Sequence, residues 1–143
     1  MWKTFGGRCI YQAPEGAMVY QNYFYRWLTF GNNNIQTLIN RYHPEYGGLS
    51  YIKQMTLIVR AQPAACCLLG LGGAGIPHAL KSHLGYSELV AVENNSEVID
   101  IANRYFMTKT LNNLTIINQD ADYFVQHCTQ KFQHLMIDLY EAD

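Results

Sequence analysis

The chain has 143 residues, 49% hydrophobic, 13% aromatic and 15% charged, with a formal net charge of -1. Those figures supply enough apolar residues for a packed core, exclude a disordered chain, and argue against a polyanionic partner such as nucleic acid. No apolar run is long enough to span a bilayer and Met1 to Gly7 holds no signal-peptide core, so the expectation is a cytoplasmic protein without a membrane partner.

From about Cys9 to Asn40 the pattern has a period near two, rich in aromatic and β-branched residues, which predicts a small antiparallel β unit. Val19 to Phe30 reads as one strand, Gly31-Asn32-Asn33-Asn34 as a turn and Ile35 to Asn40 as the return strand. After a loop at His43 to Gly48, Ile52, Met55 and Val59 recur at helical spacing within Leu49 to Val59. Gln62-Pro63 closes this first region, taken as residues 1–62.

Residues 63–143 alternate strand and helix instead. Strands are expected at Cys66 to Leu69, Leu89 to Val92, Leu114 to Ile117 and Leu135 to Ile137. Helices are expected at Ile76 to Leu84, from Asn94 through Phe106 and from Asp120 to about Cys128. Asn94 with Glu97 resembles a capping box, and Val98, Ile101, Ala102, Tyr105 and Phe106 share one helical face. Repeated strand-helix units imply right-handed crossovers and a parallel, Rossmann-like sheet. The sequence stops soon after the fourth strand, whereas such sheets normally continue beyond their switch point, so an N-terminal fragment or a divergent short member is expected. Cys9, Cys66, Cys67 and Cys128 form no C-x-x-C and read as packing thiols of a reducing compartment.

The chemistry concentrates at the carboxyl ends of those strands. Gly70-Leu71-Gly72-Gly73-Ala74-Gly75 satisfies G-x-G-x-x-G between a strand and a helix, where a sharp turn lets backbone N–H groups approach a ligand. Glu93 ends the second strand about 20 residues on, where a carboxylate binds both ribose hydroxyls. NAD and S-adenosyl compounds both fit this pair. Asp120 after the third strand and Asp138 after the fourth favour the second class, because a row of acids suits a sulfonium and not a pyrophosphate. Asp120 read alone is equally a helix N-cap. The five scattered histidines make no metal spacing, and neither G-x-S-x-G nor Gly-Lys-Ser/Thr follows the glycines, so no metal, hydrolase or P-loop site is expected.

Taken in order, Tyr20-Gln21, Ile35-Gln36-Thr37, Tyr51, Gly70 to Gly75, Val92-Glu93, Gln119-Asp120-Ala121 and Ile137-Asp138-Leu139-Tyr140 resemble the spermidine synthase (polyamine aminopropyltransferase) family, within the class I methyltransferase-like superfamily. The resemblance implies a transferase with a small N-terminal β domain followed by a Rossmann-like sheet. Its substrate would be decarboxylated S-adenosylmethionine or S-adenosylmethionine, without a metal, and its partner a small-molecule amine. It further implies that Gln21, Gly70, Gly72, Gly73, Gly75, Glu93, Asp120 and Ala121 contact the adenosyl compound, that Asp138 is catalytic and that Tyr51 and Tyr140 contact the amine. The chain departs from the family pattern at Gly73, where an aspartate is usual, at Lys53, where an acid is usual, and after Asp138, where an acidic, proline-ending segment is replaced by Leu139-Tyr140-Glu141-Ala142-Asp143. A methyltransferase using S-adenosylmethionine is the alternative enzyme. A non-catalytic domain that pairs with itself or another chain through the sheet edge is the alternative of another class, and a homodimer covering the fourth strand is one form of it.

Overall fold

The computed structural model describes residues 2–31 and 34–140. Two four-stranded sheets organise them, and the α/β class expected from the sequence is what the structure has. The first sheet is antiparallel, in the order β1 (Arg8–Gln12), β2 (Ala17–Gln21), β3 (Tyr25–Phe30) and β4 (Asn34–Asn40). The single strand expected over Val19 to Phe30 is therefore two. Asn22 breaks it, its Oδ1 accepting from the backbone N–H groups of Phe24 and Tyr25 at 3.1 and 2.8 Å. An Asx turn of this kind leaves the two-residue alternation intact on both sides, so periodicity alone hides it. The turn at Asn32-Asn33 lies outside the described residues.

Two short helices follow, α1 (Tyr51–Met55) and α2 (Leu57–Ala61), where one was expected. They meet at buried Thr56, whose Oγ1 donates to the Ile52 carbonyl at 2.7 Å. The second sheet is parallel, in the order β7 (Leu114–Asn118), β6 (Leu89–Glu93), β5 (Cys66–Leu69), β8 (His134–Ile137). Helix α3 (Gly75–Leu84) packs Ile76 and Leu80 on Cys66 and Leu68 of β5, and α4 (Ser96–Tyr105) adds Ala102 on that face. Helix α5 (Ala121–His127) covers the other face, with Phe124 against Cys67, Leu69, Val90 and Val92. β5 is thus apolar on both faces, which is why it reads as an unbroken apolar run. Its burial also pushes the Cys66 and Cys67 thiols up to about 11 each, so both stay protonated and act as packing groups.

The capping of α4 differs from expectation by one residue. Asn95, not Asn94, is the N-cap, and its Oδ1 accepts from the backbone N–H groups of Glu97 and Val98 at 2.8 and 3.3 Å.

One face of the antiparallel sheet docks on the parallel unit. Val19, Leu28 and Ile39 pack on Ile101 and Phe106, all fully buried. Two polar contacts fix the docking. Arg26 donates to the Tyr105 carbonyl and so caps the carboxyl end of α4, where a cation is favoured. Thr37, 4% exposed, accepts from the Gly73 N–H through Oγ1 at 2.8 Å. A Cβ on Gly73 would lie 2.8 Å from Thr37 Cγ2 and 3.0 Å from Phe106 Cδ1. Gly73→Ala should therefore destabilise the chain by about 1–3 kcal/mol through overpacking. In urea unfolding, adding Thr37→Ser to Gly73→Ala should restore part of that loss, since it removes the obstructing methyl and keeps the hydroxyl.

Candidate functional site

A cavity of about 850 Å³ lies at the carboxyl ends of the parallel strands, roofed by the antiparallel sheet. That volume is within the range of small-molecule sites. Its floor is the turn from β5 into α3. Gly70 (φ 95) is open to nothing larger than hydrogen, because a Cβ there would lie 2.2 Å from the Asp138 carbonyl oxygen. The end of β8 therefore rests directly on the turn, tied by Asp138 N–H donating to Leu69 O at 2.8 Å. Gly72 (φ 52) and Ala74 (φ 60) then reverse the chain in the left-handed region, and Gly75 opens α3.

Glu93, at the end of β6, faces this floor. Its Oε2 accepts from the Leu71 N–H at 3.1 Å and its Oε1 from the Asn95 N–H at 3.0 Å. A carboxylate offers about four acceptor positions, so roughly two are left for hydroxyl donors in the cavity. Asp120 caps α5 by accepting from the Tyr123 N–H at 2.9 Å, and it lines the cavity together with Ala121. The two readings of Asp120, cap and cavity residue, both hold geometrically.

At the β8 end, Tyr51 of α1 donates its hydroxyl to Asp138 Oδ2 at 2.9 Å. Burial raises the Asp138 carboxyl above its ordinary value, and the hydrogen bond from Tyr51 opposes that rise. Burial, then the charge of Asp138 and the shared hydrogen bond, push the Tyr51 phenol well above its own, so it stays a donor. Tyr140 stacks on Phe30 with ring centroids 5.4 Å apart and planes at 18°, joining the end of β8 to β3.

Six carboxylates line the cavity, those of Glu15, Glu93, Glu97, Asp120, Asp122 and Asp138, and among the described residues no Lys, Arg or His does. The chain as a whole is divided in the same sense. Six of its ten Lys and Arg but two of its eleven Asp and Glu precede residue 63. The charged lining of the cavity is thus wholly acidic among the described residues.

Glu93, Asp120, Ala121, Asp138, Tyr51, Tyr140, Gly70, Gly72 and Gly75, distant in sequence, line this one cavity. Two expected contacts do not. Gln21 faces a separate shallow depression, and its Oε1 accepts from Arg26 Nε and Nη2 at 3.1 and 2.7 Å. It orients the arginine that caps α4. Gly73 is turned into Thr37, so its N–H is already used. Phe30, Glu15 and Glu97 were not anticipated. Glu15, in the turn between β1 and β2, reaches the cavity rim where Asn95 Nδ2 donates to it at 3.3 Å. Its only sequence signal is an acid in a Pro-Glu-Gly turn, which reads as surface. Among the described residues no group of three or more His, Cys, Asp or Glu side chains is placed to hold a metal ion.

The raised Asp138 carboxyl makes stability pH-dependent in a definite sense. The folded chain holds this proton more tightly than the unfolded chain, so the contribution is complete below about 3.8 and is lost as pH rises through the higher folded value. The stability difference between wild type and Asp138→Asn, measured by urea unfolding, should therefore fall with rising pH across that window. Tyr51→Phe removes the hydrogen bond that holds the carboxyl down and should extend the window upward, as read by carbon NMR of the Asp138 carboxyl.

No family model matches the chain. A curated polyamine aminopropyltransferase of Vibrio vulnificus (strain CMCP6) is 27% identical over 90 residues, which is 61% of this chain and 30% of that protein. The spermidine synthase of Thermotoga maritima superposes with a TM-score of 0.67 at 14% identity, covering 95% of this chain and 48% of that one. A spermidine synthase in complex with the transition-state analogue AdoDATO gives 0.67 at 15% identity, covering 94% and 47%. Human methyltransferase-like protein 13 in complex with SAH gives 0.55 at 19% identity, covering 66% and 50%. The chain thus spans about half the length of these solved structures and less than a third of the curated relative. Sequence similarity to an aminopropyltransferase and the fold of the solved synthases agree: the chain is similar to spermidine synthases, and it shares its fold with the methyltransferase-like protein as well.

Proposed function

We propose that the cavity binds an adenosyl sulfonium, decarboxylated S-adenosylmethionine or a close relative, and transfers its aminopropyl group to an amine. The observation that carries this reading is the charge of the cavity, six carboxylates with no cation among the described lining residues. A sulfonium and an ammonium both gain there, whereas a pyrophosphate or a free carboxylate would meet only like charge. The solved relatives with AdoDATO and SAH support an adenosyl compound as the ligand class.

In this reading the spare acceptor positions of Glu93 hold the ribose hydroxyls, and Asp120 and Ala121 meet the adenine. The turn at Gly70, Gly72 and Gly75 lets the thioether lie close to the backbone, while Gly73 shapes that turn and Gln21 acts only through Arg26. Asp138 is the proton acceptor. An amine near pH 7 is protonated and has no lone pair to attack with. Asp138 takes one proton, the freed nitrogen bonds to the propyl carbon next to sulfur, and the carbon–sulfur bond breaks with its electron pair returning to sulfur as a neutral thioether. Tyr51 holds the carboxylate in position, and alignment of nitrogen, carbon and sulfur supplies much of the rest.

A methyltransferase reading is favoured by one observation, that Gly73 has no side chain with which to hold an aminopropyl ammonium. Calorimetry with decarboxylated S-adenosylmethionine, S-adenosylmethionine, methylthioadenosine and NAD separates the readings. The decarboxylated compound and methylthioadenosine should bind, and NAD should not. Preference for S-adenosylmethionine favours the methyltransferase, and no heat with any adenosyl compound overturns both. Glu93→Ala should weaken methylthioadenosine at least about ten-fold, since it removes the acceptor for two hydroxyls. Asp138→Asn should abolish transfer while leaving methylthioadenosine binding nearly unchanged. A homodimer through β8, an edge strand whose Leu135 and Ile137 are each 57% exposed, is a further proposal. A monodisperse monomer in light scattering overturns it.

A further inference from the structure

The antiparallel sheet gathers arginines at the end remote from the large cavity. Arg8 of β1 pairs with Gln21 of β2, Gln21 with Arg26 of β3, and Arg26 with Ile39 of β4. Residues directly opposite on neighbouring strands share a face, so these four side chains form one cross-strand row. Arg41 stands two residues beyond Ile39. Burial, and then the charge of Arg41, holds the Arg26 guanidinium below its ordinary value, so two cations face each other here.

The row borders the shallow depression faced by Gln21, of about 300 Å³, lined by Gly6, Arg8, Gln21, Asn22, Tyr23 and Arg41. Its donors are held in place. Arg41 donates through Nη1 to the carbonyls of Asn22 and Tyr23, both at 3.0 Å, which fixes the guanidinium and leaves Nε and Nη2 outside those bonds. Gln21 has its acceptor oxygen taken twice by Arg26, so what it has left to offer is the Nε2 donor. Asn22 is committed to structure. Its Nδ2 donates to the Lys3 and Phe5 carbonyls at 2.7 and 3.1 Å, which ties the segment before Gly6 to the β2–β3 turn. Arg8, at the start of β1, is exposed.

Two guanidiniums and an amide donor thus line one small concave place. Phe30, which borders the acidic cavity and carries the stacked Tyr140, ends β3 about 17 Å from its start at Tyr25. The basic depression and the acidic cavity are therefore separate places with opposite chemistry. Guanidinium forks match the oxygens of a phosphate in pairs, and two forks with an added amide suit a dianion better than a single carboxylate. The ring of Tyr23, packed beside Phe24 with centroids 4.8 Å apart, offers apolar contact to the body of an organic ester.

We propose that this depression is a second binding site, for a small phosphate-bearing molecule, with Arg8 and Arg41 on the phosphate oxygens and Gln21 Nε2 as the neutral donor. It goes beyond the adenosyl reading of the acidic cavity and stands independently of it.

Proton–nitrogen NMR of the full chain in chloride buffer, titrated with sodium phosphate, phenyl phosphate or sodium acetate, tests the proposal. Phosphate and phenyl phosphate should bind at about 1 mM or tighter, shifting the amide signals of Gly6, Asn22, Tyr23 and the Gln21 side chain. Their affinity should fall as sodium chloride is raised, and acetate should bind at least about ten-fold more weakly. Arg8→Gln should weaken phosphate at least about ten-fold with an unchanged midpoint of urea unfolding, and Arg8→Lys should recover only part of the loss. Tighter binding of phenyl phosphate supports the site and assigns it an organic ester, whereas equal binding supports it as a site for phosphate itself. Absence of these shifts at millimolar phosphate, shifts confined to the acidic cavity, acetate binding as tight as phosphate, or undiminished affinity in Arg8→Gln each overturns the proposal.

Discussion

The contact between Thr37 and the glycine turn is the constraint on which the rest of the structure depends. Through it the antiparallel sheet touches the floor of the cavity, and it satisfies a buried N–H that the tight turn cannot pair internally. It also decides what the turn may contain. With Thr37 filling the space beside Gly73, the turn carries no side chain there, and the roof over the cavity is held by the Thr37, Arg26 and Phe106 contacts together. A side chain at Gly73 would thus meet a residue thirty-six positions upstream.

Electrostatics then separates the two ends of one cavity. Carboxylates at neighbouring strand ends would repel one another in an empty low-dielectric site, and the structure reduces that by assigning them backbone donors. Glu93 takes two N–H groups and Asp120 one, whereas Asp138 takes the Tyr51 hydroxyl, and burial raises its carboxyl. Asp138, at the far end of that row of strand ends from Asp120, is thus set apart by burial and by its single hydroxyl donor.

Much of the parallel half was legible in the sequence because its central strands β5 and β6 are buried on both faces and each strand is followed closely by a glycine or an acid. Cys66 to Leu69 and Glu93 are clear for that reason, as is the amphipathic helix behind Asn95. The antiparallel half was less so. Its alternation runs through the Asn22 turn, and Thr56 divides a helix whose spacing looks continuous. What sequence could not supply were pairings between distant residues without periodic signal. Gln21 belongs to Arg26 and not to the cavity, and Glu15 reaches it only because Asn95, eighty residues later, is beside it.

The close approach of the Asp138 carbonyl to Gly70 has a consequence for how such a site changes over time. The end of β8 at Asp138 and the glycine turn at the cavity floor are joined backbone to backbone, so they form a single rigid anvil whose geometry side-chain substitution hardly alters. The roof is different, because its cavity-facing residues, Phe30 and Ile35 among them, belong to another sheet. Substitutions can therefore redraw the roof of the cavity while its floor is left unchanged.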